Sequence, residues 1–325
     1  MKIGIYGYGN IGKGVELACA QNKDVEVVGI FTRRNPTDIK SLCGTKVYNA
    51  SEILNFKNEI DVLIICGGSA TELPTMTVEL AKNFNVVDSF DNHSHVYEHF
   101  NNVDKEAKAN KHVALISCGW DPGMFSLNRL YAGVVLPEGK DYTFWGRGIS
   151  QGHSDAIRHI EGVVDARQYT VPVDNVVDKI KNGDTSDYTA REKHIRECFV
   201  VVEDNADKNK IENEIKTMPG YFAGYDTTVH FITLEELKKN HSEMAHGGFV
   251  IRTGVTGLNK EHKHTISYNL KLDSNPEFTS SCLVAFARAV DKMYKRGEVG
   301  ARTVLDVRPR DLSPLSDEDL LKHII

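Results

Sequence analysis

The chain has 325 residues, which is long for one hydrophobic core and predicts two domains. A net charge of -6 and an ordinary globular composition give no reason to expect nucleic acid or an anionic membrane as a partner. Six cysteines are scattered without Cys-x-x-Cys spacing, and no apolar run approaches the length of a membrane span. Since the first predicted strand begins at Lys2, no signal peptide is expected, and these features together favour a cytoplasmic protein.

The N-terminal segment predicts a strand, a glycine-rich turn, a helix and a second strand. The strands are expected at residues 2–6 and 25–31, and the turn at residues 7–12 has the sequence Gly-Tyr-Gly-Asn-Ile-Gly. Such a turn offers backbone N–H groups and the positive end of a helix dipole to an anion, so it predicts a dinucleotide site. An ordinary tight turn between strand and helix is the alternative explanation.

The residues at the end of the second strand predict which dinucleotide binds. NAD enzymes usually place Asp or Glu there to bind the ribose 2′-hydroxyl, whereas NADP enzymes place Arg nearby for the 2′-phosphate. This chain has Thr32, Arg33 and Arg34 at that point, and no carboxylate. A solvated basic loop is the alternative, but two guanidinium groups beside a hydroxyl favour NADP. The candidate cofactor-binding residues are Gly7, Tyr8, Gly9, Asn10, Ile11, Gly12, Thr32, Arg33, Arg34, Ser69, Ala70 and Thr71.

Further along the chain the strands change character near Cys118. Strands expected at residues 61–66, 85–88 and 112–117 carry continuous apolar runs and alternate with helices, which indicates a Rossmann-type, doubly wound parallel α/β sheet. Residues 263–272 instead alternate apolar and polar side chains, which predicts a second α+β domain with a mostly antiparallel sheet. Similar strands are expected at residues 142–146, 166–172, 194–203, 227–233 and 248–253.

The domain prediction follows from these patterns. Residues 1–119 form the dinucleotide-binding domain, and residues 120–277 form the domain for substrate binding and dimerisation. A long helix expected at residues 278–296 has an apolar face at helical spacing, so residues 278–325 are expected to complete the first domain.

Two predicted strand ends each carry an aspartate beside an aromatic residue, namely Asp91 after Phe90 and Asp121 after Trp120. Ligands of open α/β sheets bind at the carboxyl ends of strands, where two carboxylates suit a substrate ammonium and can accept its proton. A turn or cap role for each aspartate is the alternative. His93 and His95 supply too few ligands for a metal, so none is expected.

Nine segments together closely resemble the meso-diaminopimelate dehydrogenase family, and the resemblance runs essentially end to end. The octapeptide Gly-Trp-Asp-Pro-Gly-Met-Phe-Ser at residues 119–126 is the specific part of it. The segments are residues 7–12, 31–34, 91–93, 119–126, 143–146, 150–156, 194–199, 244–248 and 270–276.

The resemblance implies a homodimer that catalyses the reversible NADP-dependent oxidative deamination of meso-2,6-diaminopimelate at its D-centre. The products are ammonia and L-2-amino-6-oxopimelate, which is in equilibrium with tetrahydrodipicolinate, and the reverse amination leads toward lysine. Asp91 and Asp121 are implied to hold the reacting amine, and which of them acts as the base, if either does, stays open. The implied substrate-binding residues are Trp120, Trp145, Gln151 and Gly152 near the D-centre and Thr170, Arg196, His246 and Asn275 at the distal L-amino acid end.

One departure and two competing functions accompany this resemblance. Arg147 stands where some relatives are expected to have proline, in a loop expected to close over the substrate, so this departure bears on loop motion and strictness of specificity more than on the reaction class. A cyclic-imine reductase of the dihydrodipicolinate reductase type is the nearest enzymatic alternative, and it would not need ammonium. A non-catalytic NADP-binding sensor is the alternative from a different class.

Overall fold

The computed structural model describes residues 1–69 and 71–325, so Ala70, a predicted cofactor residue, lies outside the described residues, as does the side chain of Gln151. The strands are β1 (Lys2–Tyr6), β2 (Glu26–Thr32), β3 (Val47–Asn49), β4 (Val62–Ile65), β5 (Val86–Asp88), β6 (Val113–Leu115), β7 (Gly139–Trp145), β8 (Gly148–Ile149), β9 (Val163–Pro172), β10 (His194–Val202), β11 (Asp226–Phe231), β12 (His246–Thr256), β13 (His262–Leu272) and β14 (Gly300–Arg302).

The α-helices lie between these strands and after the last of them. They are α1 (Asn10–Ala20), α2 (Leu73–Leu80), α3 (Val96–Ala109), α4 (Met124–Val135), α5 (Gln151–Arg158), α6 (Asp174–Lys181), α7 (Ala190–Lys193), α8 (Lys208–Thr217), α9 (Leu234–Asn240), α10 (Asn275–Lys295) and α11 (Asp317–His323). Short 3-10 helices are Pro36–Asp38, Ala50–Phe56, His93–His95, Val304–Asp306 and Pro309–Leu312. No helix in the described part of the chain is long and apolar enough to span a membrane.

The chain forms two compact units, Met1–Leu127 with Pro276–Ile325 and Asn128–Asn275. The first unit contains a parallel sheet of order β14-β6-β5-β4-β1-β2-β3. Reversal of strand order about β1 is the topology of dinucleotide-binding folds, and the predicted Rossmann-type sheet is confirmed. The predicted boundaries after residues 119 and 277 stay predictions.

Both faces of this sheet are buried, which explains the continuous apolar runs of its strands. Ile64 packs with side chains of α1 and α10 on one face, whereas Leu63 and Ile65 pack with side chains of α2 and α3 on the other. Successive side chains of a strand point to opposite faces, so a strand covered on both sides needs no polar residue. The helix near the C-terminus, α10, therefore belongs to the core of the first unit.

The second unit is α+β, as predicted, and its strands divide into two sheets. One sheet has the order β11-β10-β9-β8, in which β10 and β11 are parallel and the other pairs antiparallel. The other has the antiparallel order β13-β12-β7. Strand β13 is exposed along most of its length: Ile266 and Leu270 of the predicted apolar face are half-buried and Leu272 is buried, whereas Tyr268 is exposed.

Candidate active site

A pocket of about 650 Å³ opens in the first unit at the carboxyl ends of β1, β2 and β4. This is the edge at which open parallel sheets bind their ligands. The lining residues are Tyr6, Gly7, Tyr8, Gly9, Asn10, Ile11, Phe31, Thr32, Arg33, Arg34, Cys66, Gly67, Gly68, Glu72 and Met76.

The glycine turn shapes the floor of this pocket. Gly7 has a φ of 94°, a backbone conformation that favours glycine, and its N–H donates to the Phe31 carbonyl at 2.8 Å. A Cβ at Gly12 would stand 2.2 Å from the Gly7 carbonyl oxygen, so only glycine lets α1 begin this close to the turn. Apart from its chain neighbours, a Cβ at Gly9 would meet no atom of the described residues within 4 Å. The glycine turn and the N-terminus of α1 therefore fit a pyrophosphate that approaches the backbone at Gly9.

The arginines after β2 line the same pocket and have different partners. The Arg34 guanidinium donates to the Tyr8 carbonyl at 2.6 Å, and the Arg34 N–H donates to the Thr32 hydroxyl at 3.2 Å. Arg33 forms an ion pair with Glu72. Two guanidinium groups at the end of β2 fit the 2′-phosphate of NADP.

The remaining predicted cofactor residues occupy varied positions. Asn10 and Ile11 begin α1 and line the pocket. The Tyr8 ring is buried and its hydroxyl donates to Glu16, so the side chain of Tyr8 points into the protein. Ser69 and Thr71 are not among the described lining residues, and the Ser69 hydroxyl instead accepts the backbone N–H of Asp91 at 2.9 Å.

The two predicted carboxylates follow adjacent strands of the first unit, β5 and β6. Asp91 is exposed and Asp121 is partly buried. Asp121 lies in a tight turn in which Gly123 has a φ of 135° and Met124 donates its N–H back to Gly119 at 3.2 Å. The turn therefore holds Asp121 beside Trp120, whose ring is buried edge-on against Phe125.

A buried carboxylate that the sequence analysis missed joins the bases of these two loops. One Asp88 oxygen accepts the N–H groups of Phe90 at 3.1 Å and Ser117 at 2.8 Å. The other oxygen accepts the Thr77 hydroxyl at 2.7 Å and lies 2.7 Å from His99 Nε2. Because both loops are anchored to one fully buried residue, Asp88 fixes the points at which the loops that carry Asp91 and Asp121 leave the sheet.

In the second unit the structure brings Arg196 and Thr170 together. The residues face each other across β9 and β10, and the Arg196 guanidinium donates to the Thr170 hydroxyl. Arg196 is only 6% exposed, and its guanidinium carbon lies 4.0 Å from the centre of the Tyr225 ring. Its Nε has no hydrogen-bond partner among the described residues, and burial lowers the pKa of its guanidinium. A buried cation with a donor to spare is suited to a carboxylate ligand.

Gly148 connects Thr170 with His246. It pairs with Thr170, and a Cβ at Gly148 would stand 2.7 Å from the Cα atom of His246. Burial lowers the pKa of the His246 imidazole, whose Nδ1 accepts the Gly247 N–H at 2.7 Å. Asn275, the first residue of α10, donates its backbone N–H to the Met244 carbonyl at 3.0 Å, two residues before β12 begins.

Trp145 and Gly152 lie in the same unit, at the end of β7 and in the first turn of α5. The backbone N–H of Trp145 donates to Nε2 of His194 at 3.0 Å. His194 is a buried residue that sequence reasoning missed. Outside its own helix backbone and chain neighbours, a Cβ at Gly152 would meet no atom in the described part of the chain within 4 Å.

His194 and His153 are both neutral at pH 7. Burial, reinforced by neighbouring positive charges, lowers the pKa of His194 to about 4. Burial and the Arg196 charge likewise lower the pKa of His153 to about 4. Arg196 therefore carries a charge at pH 7, whereas the two imidazoles do not.

Arg147, the departure noted in the sequence, lies on the surface of the second unit. Its guanidinium forms an ion pair with Glu197 at 2.8 Å and stands 5.6 Å from the centre of the Tyr169 ring. The side chain therefore ties the loop after β7 to β9 and β10.

Comparisons with known proteins identify the family. Residues 119–274 match the family model described as diaminopimelic acid dehydrogenase C-terminal domain. Over 326 aligned residues, 100% of this chain and 98% of the relative, the chain is 59% identical to a meso-diaminopimelate D-dehydrogenase of Acetivibrio thermocellus. It is also similar to the structure of Corynebacterium glutamicum DAP dehydrogenase in complex with DAP, with 45% identity, coverage of 100% and 99% and a TM-score of 0.92.

A further similar structure is an engineered D-amino acid dehydrogenase bound to NADP⁺, with 42% identity, coverage of 100% and 99% and a TM-score of 0.88. These likenesses extend over both units rather than over the widespread dinucleotide fold alone. The chain therefore belongs to the meso-diaminopimelate D-dehydrogenase family.

Proposed function

We propose that this protein catalyses the reversible NADP-dependent oxidative deamination of meso-2,6-diaminopimelate at its D-configured carbon. The products are ammonia and L-2-amino-6-oxopimelate, which cyclises to tetrahydrodipicolinate, and the reverse reaction serves lysine biosynthesis. The observation that carries the proposal is end-to-end similarity to dehydrogenases of this substrate, including a structure with DAP bound.

NADP is the cofactor of this reaction, and it accepts the hydride that leaves the carbon bearing the amine. The glycine turn would hold its pyrophosphate, and Thr32, Arg33 and Arg34 would hold its 2′-phosphate. The NADP⁺ complex of a relative that is 42% identical over the whole chain supports this assignment.

Asp91 and Asp121 would bind the D-centre ammonium by charge pairing, and one of them would take its proton before the hydride leaves. The resulting imine is attacked by water, and ammonia leaves as the carbonyl forms. Trp120, Trp145 and the segment at Gln151 and Gly152 would shape the surroundings of the reacting carbon and hold the nearby carboxylate. The anchoring of both aspartate loops on Asp88 supports a fixed position for the two carboxylates.

Arg196, Thr170, His246 and Asn275 would hold the distal amino acid end. The buried Arg196 would pair with the distal carboxylate, and the polar groups would give the directional bonds that distinguish L from D configuration. A site built to bond both ends rejects a substrate that lacks one of them by about 10⁴-fold.

Ammonium dependence tests this function against the cyclic-imine reductase. With tetrahydrodipicolinate as substrate, NADPH oxidation should require ammonium and should yield meso-diaminopimelate. Oxidation of NADPH at an undiminished rate without ammonium would establish the reductase instead. Binding of NADP without any turnover would establish the sensor. Full-length relatives of 46–59% identity that are all dehydrogenases do not favour either alternative.

We also propose that the protein is a cytoplasmic homodimer. Exposed apolar side chains of the second unit support an interface there, with Tyr131, Val134 and Val135 on α4 and Tyr268 on β13. Sedimentation equilibrium should give twice the chain mass of 36.3 kDa. A monomer at micromolar concentration would contradict this part of the proposal.

A further inference from the structure

One carboxylate stands among the cations of the cofactor pocket. Glu72 directly precedes α2 and lines the pocket together with Arg33 and Arg34. One of its oxygens accepts the Gly68 N–H at 2.6 Å, and the other pairs with Arg33. These two bonds lower the pKa of the Glu72 carboxyl, so it carries its charge at neutral pH.

The two partners of Glu72 are the kinds of donor that bind a phosphate. A guanidinium group and a backbone N–H in a glycine-rich loop are both common phosphate ligands. A phosphate dianion held by Arg33 would therefore stand beside the Glu72 carboxylate or would displace it. Either event costs free energy, because like charges at short distance repel and the existing ion pair must be given up.

We propose that Glu72 is an internal competitor for Arg33 and thereby limits the preference of this enzyme for NADP over NAD. The inference rests on the proposed binding of the NADP 2′-phosphate by Arg33. NAD lacks that phosphate, so the competition acts on NADP alone. The Arg33 side chain is 62% exposed and that of Glu72 33%, so the pair belongs to the class of solvent-exposed ion pairs with modest energies.

Binding measurements on the Glu72→Gln variant test the proposal. The amide keeps the size of the side chain and an acceptor for Gly68, but it removes the charge that pairs with Arg33. Isothermal titration with NADP and with NAD gives the ratio of the dissociation constant for NAD to that for NADP. We expect this ratio to rise about twofold to fivefold in the variant, the range that an exposed ion pair supports.

Two controls separate competition from a general effect of charge. Glu79→Gln removes a carboxylate of α2 that pairs with Lys82 instead, and it should leave the ratio unchanged. In an Arg33→Ala background, Glu72→Gln should no longer raise the ratio. A rise of equal size with Glu79→Gln, or a rise that persists without Arg33, would overturn the proposal.

The ratio of dissociation constants also reveals whether Glu72 has the opposite role, which is to support NADP binding. If Glu72 holds Arg33 in place for the phosphate, Glu72→Gln weakens NADP binding and the ratio falls, which would overturn competition. A wild-type chain that binds NAD as tightly as NADP would refute the phosphate site itself. A wild type that prefers NADP, with an unchanged ratio in Glu72→Gln, would refute only the role of Glu72.

Discussion

The two units keep their positive charge in opposite ways. Arg33 in the first unit is largely exposed and already paired with Glu72, whereas Arg196 in the second unit is buried against Tyr225 without a carboxylate partner among the described residues. A buried cation costs several kcal/mol in desolvation, and an exposed one costs little. The contrast teaches that the charge of Arg33 is compensated within the protein, whereas the charge of Arg196 meets no carboxylate among the described residues and is therefore suited to an anionic ligand.

Replacement of the buried cation should give the largest effect. Arg196→Met should lower kcat/KM for meso-diaminopimelate about 10³-fold, because a desolvated bond between two charges is lost, and should leave the NADP dissociation constant unchanged. The free energy of unfolding should stay equal or rise, because an apolar side chain replaces a buried cation.

Arg167→Ala is the matched control on the same sheet, since that cation is partly exposed and already pairs with Asp165. Its kcat/KM should stay within about twofold of wild type, as for most surface substitutions. If Arg196→Met keeps wild-type kinetics with meso-diaminopimelate, Arg196 is not a substrate residue and the contrast between the two units fails.

Loss of the exposed cations should have a smaller effect, confined to the cofactor. Arg33→Ala with Arg34→Ala should shift the preference between NADP and NAD about 10²-fold toward NAD, because each lost charge-assisted bond contributes roughly 1.5–3 kcal/mol. Dissociation constants for both dinucleotides provide the measurement, with the exposed Lys40→Ala as control. An unaltered preference would remove the arginines from the 2′-phosphate site.

The neutral histidines of the second unit predict a pH dependence of stability. The pKa of His194 and of His153 falls from 6.5 to about 4 in the folded chain, so between these values the unfolded state binds protons that the native state does not. Their stabilising contribution is therefore complete above pH 6.5 and is lost as the pH falls toward 4. Each group gives a slope of about 1.4 kcal/mol per pH unit in this window.

Denaturant unfolding of His194→Gln, measured from pH 4 to 7, checks this expectation. In the variant, the slope of the unfolding free energy against pH should be smaller by the contribution of one histidine, because the glutamine side chain does not titrate. Glutamine can still accept the backbone N–H of Trp145. His159→Gln is the control, because His159 is 77% exposed and should leave the curve unchanged. A His194→Gln curve parallel to that of wild type would show that His194 is not held neutral by burial.

Sequence predicted the elements whose signals are local. Buried strands such as β4 appear as unbroken apolar runs because both of their faces are covered. By contrast, β3 and β14 are three residues each, at the edges of the sheet, and form by pairing with β2 and β6, so no local pattern marks them. The division of the second unit into two sheets depends on pairings that strand periodicity does not specify.

The candidate site also contains some features that have a local sequence signal and others that do not. The glycine turn and the arginines after β2 follow from spacing within one βαβ unit, so residue order alone indicated a cofactor pocket. The meeting of Arg196 with Thr170 depends on the register of two strands, and their roles came only from the family resemblance. Partners distant in sequence, such as Glu72 for Arg33 and Tyr225 for Arg196, have no signature in the chain and needed the structure.

The central claim is that this chain recognises both ends of one stereoisomer and oxidises the D-centre with NADP. NADPH formation from NADP with the meso, LL and DD isomers of diaminopimelate, assayed separately, tests that claim most directly. We expect turnover with the meso isomer alone, since only it presents a D-centre to the cofactor and an L-centre to Arg196. No NADPH formation with any of the three isomers, or equal rates with the meso and DD isomers, would contradict the account.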